Sequence, residues 1–200
     1  FAEVSAQAKR SGGFVMTGHT TKAIAAQGTK TDVAVTLERT VAKIAVQAST
    51  TAEFSERYSG KVRINSAVLS KAASRSNLIA QQTPNTGPMT FTHTQAADEL
   101  SGKFRNLFYV PENGELAEGS RLLLTLGATY DRDGNFSTTD DQAEVTYPVE
   151  LSGDGAGRFL RNGYYRVQAL IDGLTGSELS VSISVADWEA PVTQSVNLGQ

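Results

Sequence analysis

The chain has 200 residues, with 18 glycines, 5 prolines, 2 histidines and no cysteine, and a formal net charge of −3. Acids and bases interspersed at that balance exclude an electrostatic nucleic-acid or membrane-surface binder. The missing cysteine excludes disulfides, thiol chemistry and cysteine metal sites, and no apolar run nears the roughly 20 residues that span a bilayer. The length suits one domain, or one domain plus a piece of another, and can bury a core without metal or disulfide support.

Phe1, Val4 and Ala8 stand at helical spacing and Gly12-Gly13 is a stop signal, so residues 1–10 are expected to be the last turns of a helix. No initiator Met and no signal peptide precede them, so the chain is either cytosolic or a processed or trimmed form, and a start inside an element favours the second. Phe14-Val15-Met16 reads as a short strand, and Gln27-Gly28-Thr29-Lys30 as a linker or domain edge. Val33, Val35 and Leu37 then alternate on odd positions, whereas Ala42, Ile44 and Val46 alternate on even ones. Side chains in a strand repeat every two residues, so the switch predicts a bulge or kink near Arg39-Thr40-Val41, where the strand changes face or sheet.

Lys61–Leu69 is another strand, and 70–102 is polar, irregular and predicted to hold one short strand at Met89–Thr92. Phe108-Tyr109-Val110 is ended by Pro111 and the turn signal Asn113-Gly114. Leu122, Leu124, Leu126, Ala128 and Tyr130 alternate, as do Val145, Tyr147 and Val149, with Asp131–Asn135 between them, predicting a paired hairpin with a long tip. Asn162-Gly163 is a turn into Tyr165, Val167, Ala169 and Ile171 on one face. Leu179, Val181, Ile183 and Val185 alternate with Ser180, Ser182 and Ser184. After Trp188 and Pro191, Val192, Gln194, Val196 and Leu198 continue a strand pattern to the last residue. The fold expected is mainly β, an antiparallel β-sandwich of transthyretin-like or Greek-key type with a short helical N-terminal piece. A terminus with strand character either joins its own sheet or joins another.

Catalytic chemistry finds few residues. Asp131, Asp133, Asp140, Asp141 and Asn135 offer hard oxygens of the kind calcium takes, but the spacing departs from a calcium loop and the expectation is a solvated hairpin tip. His19 and His93 lie in polar, irregular segments with no Gly-x-Ser-x-Gly elbow and no zinc spacing. Adjacent carboxylates such as Asp98/Glu99 diverge, and Gly153-Asp-Gly155-Ala-Gly157 leads to no helix that would cradle phosphate. Tyr164, Tyr165 and Trp188 fall on or beside strands, where packing is the default role. No enzyme, cofactor or metal is expected.

Five blocks in order resemble one family. They are Gly13-Phe-Val-Met16-Thr-Gly18; Val33 to Ile44, with Arg39 and Ala42-Lys-Ile44; Tyr109-Val110-Pro-Glu112-Asn113; Tyr147-Pro148-Val149 followed by Arg161-Asn162-Gly163-Tyr164-Tyr165; and Leu179 to Trp188. Together they resemble the FimA-type major fimbrillins of Bacteroidales, the subunits of type V pili. The resemblance implies a lipoprotein precursor exported to the cell surface and cut by a protease, whose lost strand leaves a groove for the next subunit's C-terminal segment. It implies that Val192, Gln194, Val196 and Leu198 are the donor strand and that Val33, Val35, Leu37, Arg39, Ala42 and Ile44 form the interdomain strand. It further implies residues 1–31 as the end of an N-terminal β-domain mostly missing here with its lipobox cysteine, 32–190 as a C-terminal sandwich and 191–200 as the tail. The implied partners are identical subunits, anchor and tip pilins, and host or bacterial surface ligands. The alternatives are a surface or pilus-tip adhesin or carbohydrate-binding module that does not polymerise, and an exported glycosidase-like enzyme, which needs two convergent carboxylates.

Overall fold

The computed structural model describes residues 3–5, 13–84, 88–96, 106–186, 188 and 192–197, and is mainly β. Its elements in order are β1 (Glu3–Ser5), β2 (Met16–Thr17), β3 (Asp32–Arg39), β4 (Val41–Thr50), α1 (Ala52–Arg57), β5 (Lys61–Ala72), β6 (Arg75–Asn77) and β7 (Phe91–Ala96). There follow β8 (Asn106–Pro111), β9 (Leu123–Asp131), β10 (Gln142–Glu150), β11 (Tyr164–Ile171), β12 (Leu179–Ala186) and β13 (Val192–Asn197). Two four-stranded sheets, ordered β10-β9-β5-β7 and β12-β11-β4-β8, form the sandwich.

Alternation decides which faces meet. In the first sheet Val62, Ile64, Ala67, Leu69, Leu124, Leu126, Ala128 and Tyr147 turn inward. Against them pack Ala42, Ile44, Val46, Phe108, Val110, Tyr165, Val167, Ala169 and Ile171 from the second. The two most deeply buried phenols, Tyr147 and Tyr165, find carbonyl or amide partners. Tyr147 Oη donates to the Gly173 carbonyl at 2.8 Å, and Tyr165 Oη accepts from the Leu160 N–H at 2.8 Å.

Helix α1 is too short to persist on propensity alone. Thr51 caps it by accepting from Phe54 N at 3.2 Å, Phe54 is buried in the core, and Arg57 meets Glu178 at 2.7 Å. His93 on β7 lies between the rings of Phe91 and Phe108, and its buried Nε2 has no hydrogen-bond partner among the described residues.

Burial holds the His93 pKa below its ordinary value. Above about pH 6.5 both folded and unfolded states are neutral there, and His93 contributes nothing to pH dependence. As pH falls through that unfolded value, the unfolded chain takes a proton that the native one resists, and stability drops until the folded pKa is passed. Urea midpoints measured from about pH 7 down to about pH 5 should therefore fall more in wild type than in His93→Gln. Parallel declines in the two proteins would remove His93 from the acid response.

Three expectations need correction. Glu3–Ser5 is a strand paired antiparallel with β6, not part of a helix. Backbone pairing with an available edge outweighs helical spacing in a segment that short. The mainly β sandwich is as expected, but its sheets are not wholly antiparallel, because β11 pairs parallel with β4 over Tyr164↔Lys43 to Ile171↔Thr50. Within β12, Leu179, Val181 and Ile183 pack on the core as expected, but Val185 is 61% exposed because it stands at the end of an edge strand.

Candidate strand-exchange site

Thr40 is the one residue between β3 and β4, and there the chain leaves one sheet for another. Val33, Val35, Leu37 and Arg39 fall on β3, in a three-stranded sheet ordered β13-β3-β2, while Ala42 and Ile44 fall on β4 in the sandwich. The parity switch in the sequence is this change of sheet.

Two groups of contacts fix the crossing. Thr40 donates from its N–H to the Val15 carbonyl at 3.0 Å. Arg39 donates through Nη1 to Asn162 Oδ1 at 3.1 Å, and Asn162 N donates to the Val41 carbonyl at 2.8 Å. Asn162 does this from a left-handed backbone, φ 58°, a region asparagine tolerates better than most residues. On the other side Trp188, 9% exposed, packs on Val41 with Phe14, Tyr109 and Tyr164. Its ring centroid lies 5.3 Å from Phe14 and 5.8 Å from Tyr109, and the Arg39 guanidinium sits over it at 4.6 Å. The Tyr164 ring is flanked by Lys43 at 4.3 Å and Arg166 at 5.2 Å, so its faces serve packing and cation–π contact.

Beneath the crossing lies a buried polar hub. Arg161 donates through Nε to Glu112 Oε1 at 2.9 Å, through Nη2 to the Asn77 carbonyl at 2.7 Å and Ser76 Oγ at 3.2 Å, and through Nη1 to the Leu78 carbonyl at 3.1 Å. Both charged side chains are 5% exposed. Thr17 Oγ1 on β2 donates to the same Leu78 carbonyl at 2.7 Å. Asn113 donates through Nδ2 to the Gly114 and Gly157 carbonyls at 2.8 and 2.7 Å. Glu112-Asn113 and Arg161-Asn162, two of the motif pairs in the sequence, therefore meet in one place.

The β3 edges are occupied in two ways. On one side β13 pairs antiparallel, with Val192 opposite Leu37, Gln194 opposite Val35 and Val196 opposite Val33. Leu198 lies outside the described residues. On the other side Met16 and Thr17 pair with Arg39 and Glu38, and the chain at Gly18 then runs against Thr36, where an added Cβ would sit 2.0 Å from the Thr36 oxygen. Val33, Val35 and Leu37 stay only half-buried. The segment that arches beside them, including Lys22, Ile24, Ala25, Ala26 and Thr31, borders with Val33 an open cavity of about 620 Å³, and Ile24 is 83% exposed.

The hairpin tip is less solvated than its composition implies. Asp131 is fully buried, and oxygens of Asp131, Asp133 and Asp141 lie within 4.8 Å of one another. Burial pushes the Asp131 carboxyl up, but the Gln142 amide, the Asp133 carboxyl and the N–H groups of Asn135 and Gly134 outweigh it and hold it below the ordinary range. For Asp133 the Asn135 N–H acts downward, yet the hydrogen bond to Asp131, burial and the neighbouring carboxylates raise it.

No family model matches the chain, and no curated protein matches it significantly. Solved structures do. A protein of Parabacteroides distasonis ATCC 8503, provisionally assigned to cell adhesion, is 15% identical with a TM-score of 0.51, over 82% of this chain and 53% of that one. A protein of Bacteroides eggerthii DSM 20697 with the same provisional assignment is 15% identical with a TM-score of 0.50, over 77% and 57%. A fimbrilin of Porphyromonas gingivalis W83 is 18% identical with a TM-score of 0.45, over 76% and 59%. The chain shares the fold of the first two and spans a little over half the length of these structures.

Proposed function

We propose that this chain is a non-catalytic structural subunit of a cell-surface fimbria that joins head to tail by passing its C-terminal strand to β3 of the next copy. The observation that carries this reading is the pairing of β13 with β3, a terminal strand laid on a strand whose apolar residues are otherwise half-covered. A pairing made within one molecule can be made between two identical ones with the same hydrogen bonds. Such exchange is heterologous and does not close, so it extends into a filament. Val192, Gln194, Val196 and Leu198 are the donor set, and Val33, Val35 and Leu37 the acceptor row. Arg39, Ala42 and Ile44 carry the acceptor strand into the sandwich. Residues 1–31 are read as the remainder of an N-terminal β-domain, 32–190 as the sandwich and 191–200 as the tail. The sequence resemblance and the fold shared with two proteins provisionally assigned to cell adhesion support a surface location, reached as a processed lipoprotein precursor. Identical subunits, with anchor and tip pilins and surface ligands, are the partners in this reading.

The second reading, a surface or pilus-tip adhesin that does not polymerise, is favoured by the same pairing taken at face value, since the tail here serves its own β3. Deleting residues 191–200 separates the two, with assembly followed by negative-stain microscopy and size exclusion beside the full chain. The filament reading expects fibres or SDS-resistant ladders from the full chain and a folded monomer from the truncation. If neither form assembles and the truncation unfolds, the tail is a closing strand and the adhesin reading replaces it.

A further inference from the structure

Each sandwich sheet ends in two edge strands, and three of the four are guarded. Strand β10 carries Glu144, Pro148 and Glu150. Strand β8 ends at Pro111, and the Gln95 side chain donates to its Leu107 carbonyl. Strand β7 is short, and its pairing with β5 shifts register between Leu69 and Ala72. Charges, prolines, short length and irregular pairing are what keep edges from pairing with other chains. Strand β12 has none of these. Leu179–Ala186 reads Leu-Ser-Val-Ser-Ile-Ser-Val-Ala, without charge, proline or glycine, and among the described residues pairs only through the side facing β11. Its Ser180, Ser182 and Ser184 face solvent, and Val185 is 61% exposed.

We propose that β12 is a lateral interface for a second copy of this chain, formed by antiparallel pairing of β12 with itself about a two-fold axis at Ser182. The sequence of the strand selects both occupant and register. With Ser182 opposite Ser182 of the second copy, Val181 faces Ile183, Leu179 faces Val185 and Ser180 faces Ser184. This register sets Leu179, Val181, Ile183 and Val185 against one another, and it covers Val185. Shifting the axis to Ile183 would instead carry Leu179 past the end of the second copy's strand at Ala186. A charge-free strand meets its own copy with no like-charge repulsion, and directly opposed apolar residues are the stabilising unit of such a ladder. The contact is isologous and closed, so it yields pairs and not filaments. It uses neither β3 nor β13, and so stands apart from the head-to-tail reading.

The chain has no cysteine, which makes Ser182→Cys in the full-length protein a clean reporter. Under mild oxidation it is expected to give a disulfide-linked dimer. Ser180→Cys, which faces Ser184 of the second copy, is expected to stay largely uncrosslinked, and the Ser180→Cys/Ser184→Cys pair to crosslink. In sedimentation, Ser182→Lys, which sets two ammonium groups face to face on a solvent-exposed position, should lose the dimer at an unchanged urea midpoint. The proposal is overturned if Ser182→Cys remains monomeric or if Ser180→Cys alone crosslinks as well. A dimer that survives Ser182→Lys overturns it too. Should Ser182→Lys lower the urea midpoint, the cysteine series alone decides by the same outcomes.

Discussion

Arg161→Met is expected to lower the unfolding free energy by about 3–5 kcal/mol, the range seen when one partner of a buried ion pair is removed. The cost comes mostly from what remains. Glu112, 4% exposed, would keep a charge with, among the described residues, Ser76 Oγ left to donate to it. The Asn77 and Leu78 carbonyls would also lose donors. Urea unfolding of the single variants and of Arg161→Met/Glu112→Leu tests this, because replacing both charges with apolar groups should recover much of the loss. If the double variant is as unstable as the sum of the singles, the ion pair is not the coupling element. The same contacts tie β2, through Thr17, and β6 to the loops that end β8 and precede β11. The single variant should therefore also loosen the sheet that holds β3.

Trp188→Ala is expected to cost about 3 kcal/mol, the lower end for truncating a buried aromatic, since the cluster it anchors is small and peripheral. Its more telling effect is local. Trp188 grips Val41 and Arg39 at the crossing from β3 to β4, and β13 begins shortly after it. Amide exchange should accelerate at Asp32–Leu37 in the variant while β4 and β11 keep their protection. Equal acceleration in all three would mean that Trp188 supports the sandwich as a whole and not the attachment of the tail.

Much of this was legible in the sequence wherever one face of a strand is buried. Leu122, Leu124, Leu126, Ala128 and Tyr130 are all inward, and β9 pairs with β10 as the hairpin spacing predicts. The change of parity at Arg39–Val41 found the sheet crossing because a strand that switches sheets must switch its buried face. What failed had no periodic signal. Arg75–Asn77 has no apolar alternation, and it is held by the Asn77 carbonyl that accepts from Arg161 and by pairing with β1. Helix α1 rests on one cap and one buried ring, too little pattern to stand out. Alternation reports which way side chains point but not strand direction, so the parallel β4–β11 pair was invisible. Glu112 and Arg161 were each in a motif, yet nothing in the chain says that two charges that far apart in sequence meet.

The parallel pairing also governs when the molecule can become itself. Lys43 and Tyr164 are neighbours in the sheet, so its centre cannot form until nearly the whole chain is available. Topologies dominated by such distant pairings fold in milliseconds to seconds, orders of magnitude slower than helical proteins of similar size. A nascent chain is thus kept from premature closure while its C-terminal third is still being made. Strand β3 is likewise made long before β13, the strand that pairs with it.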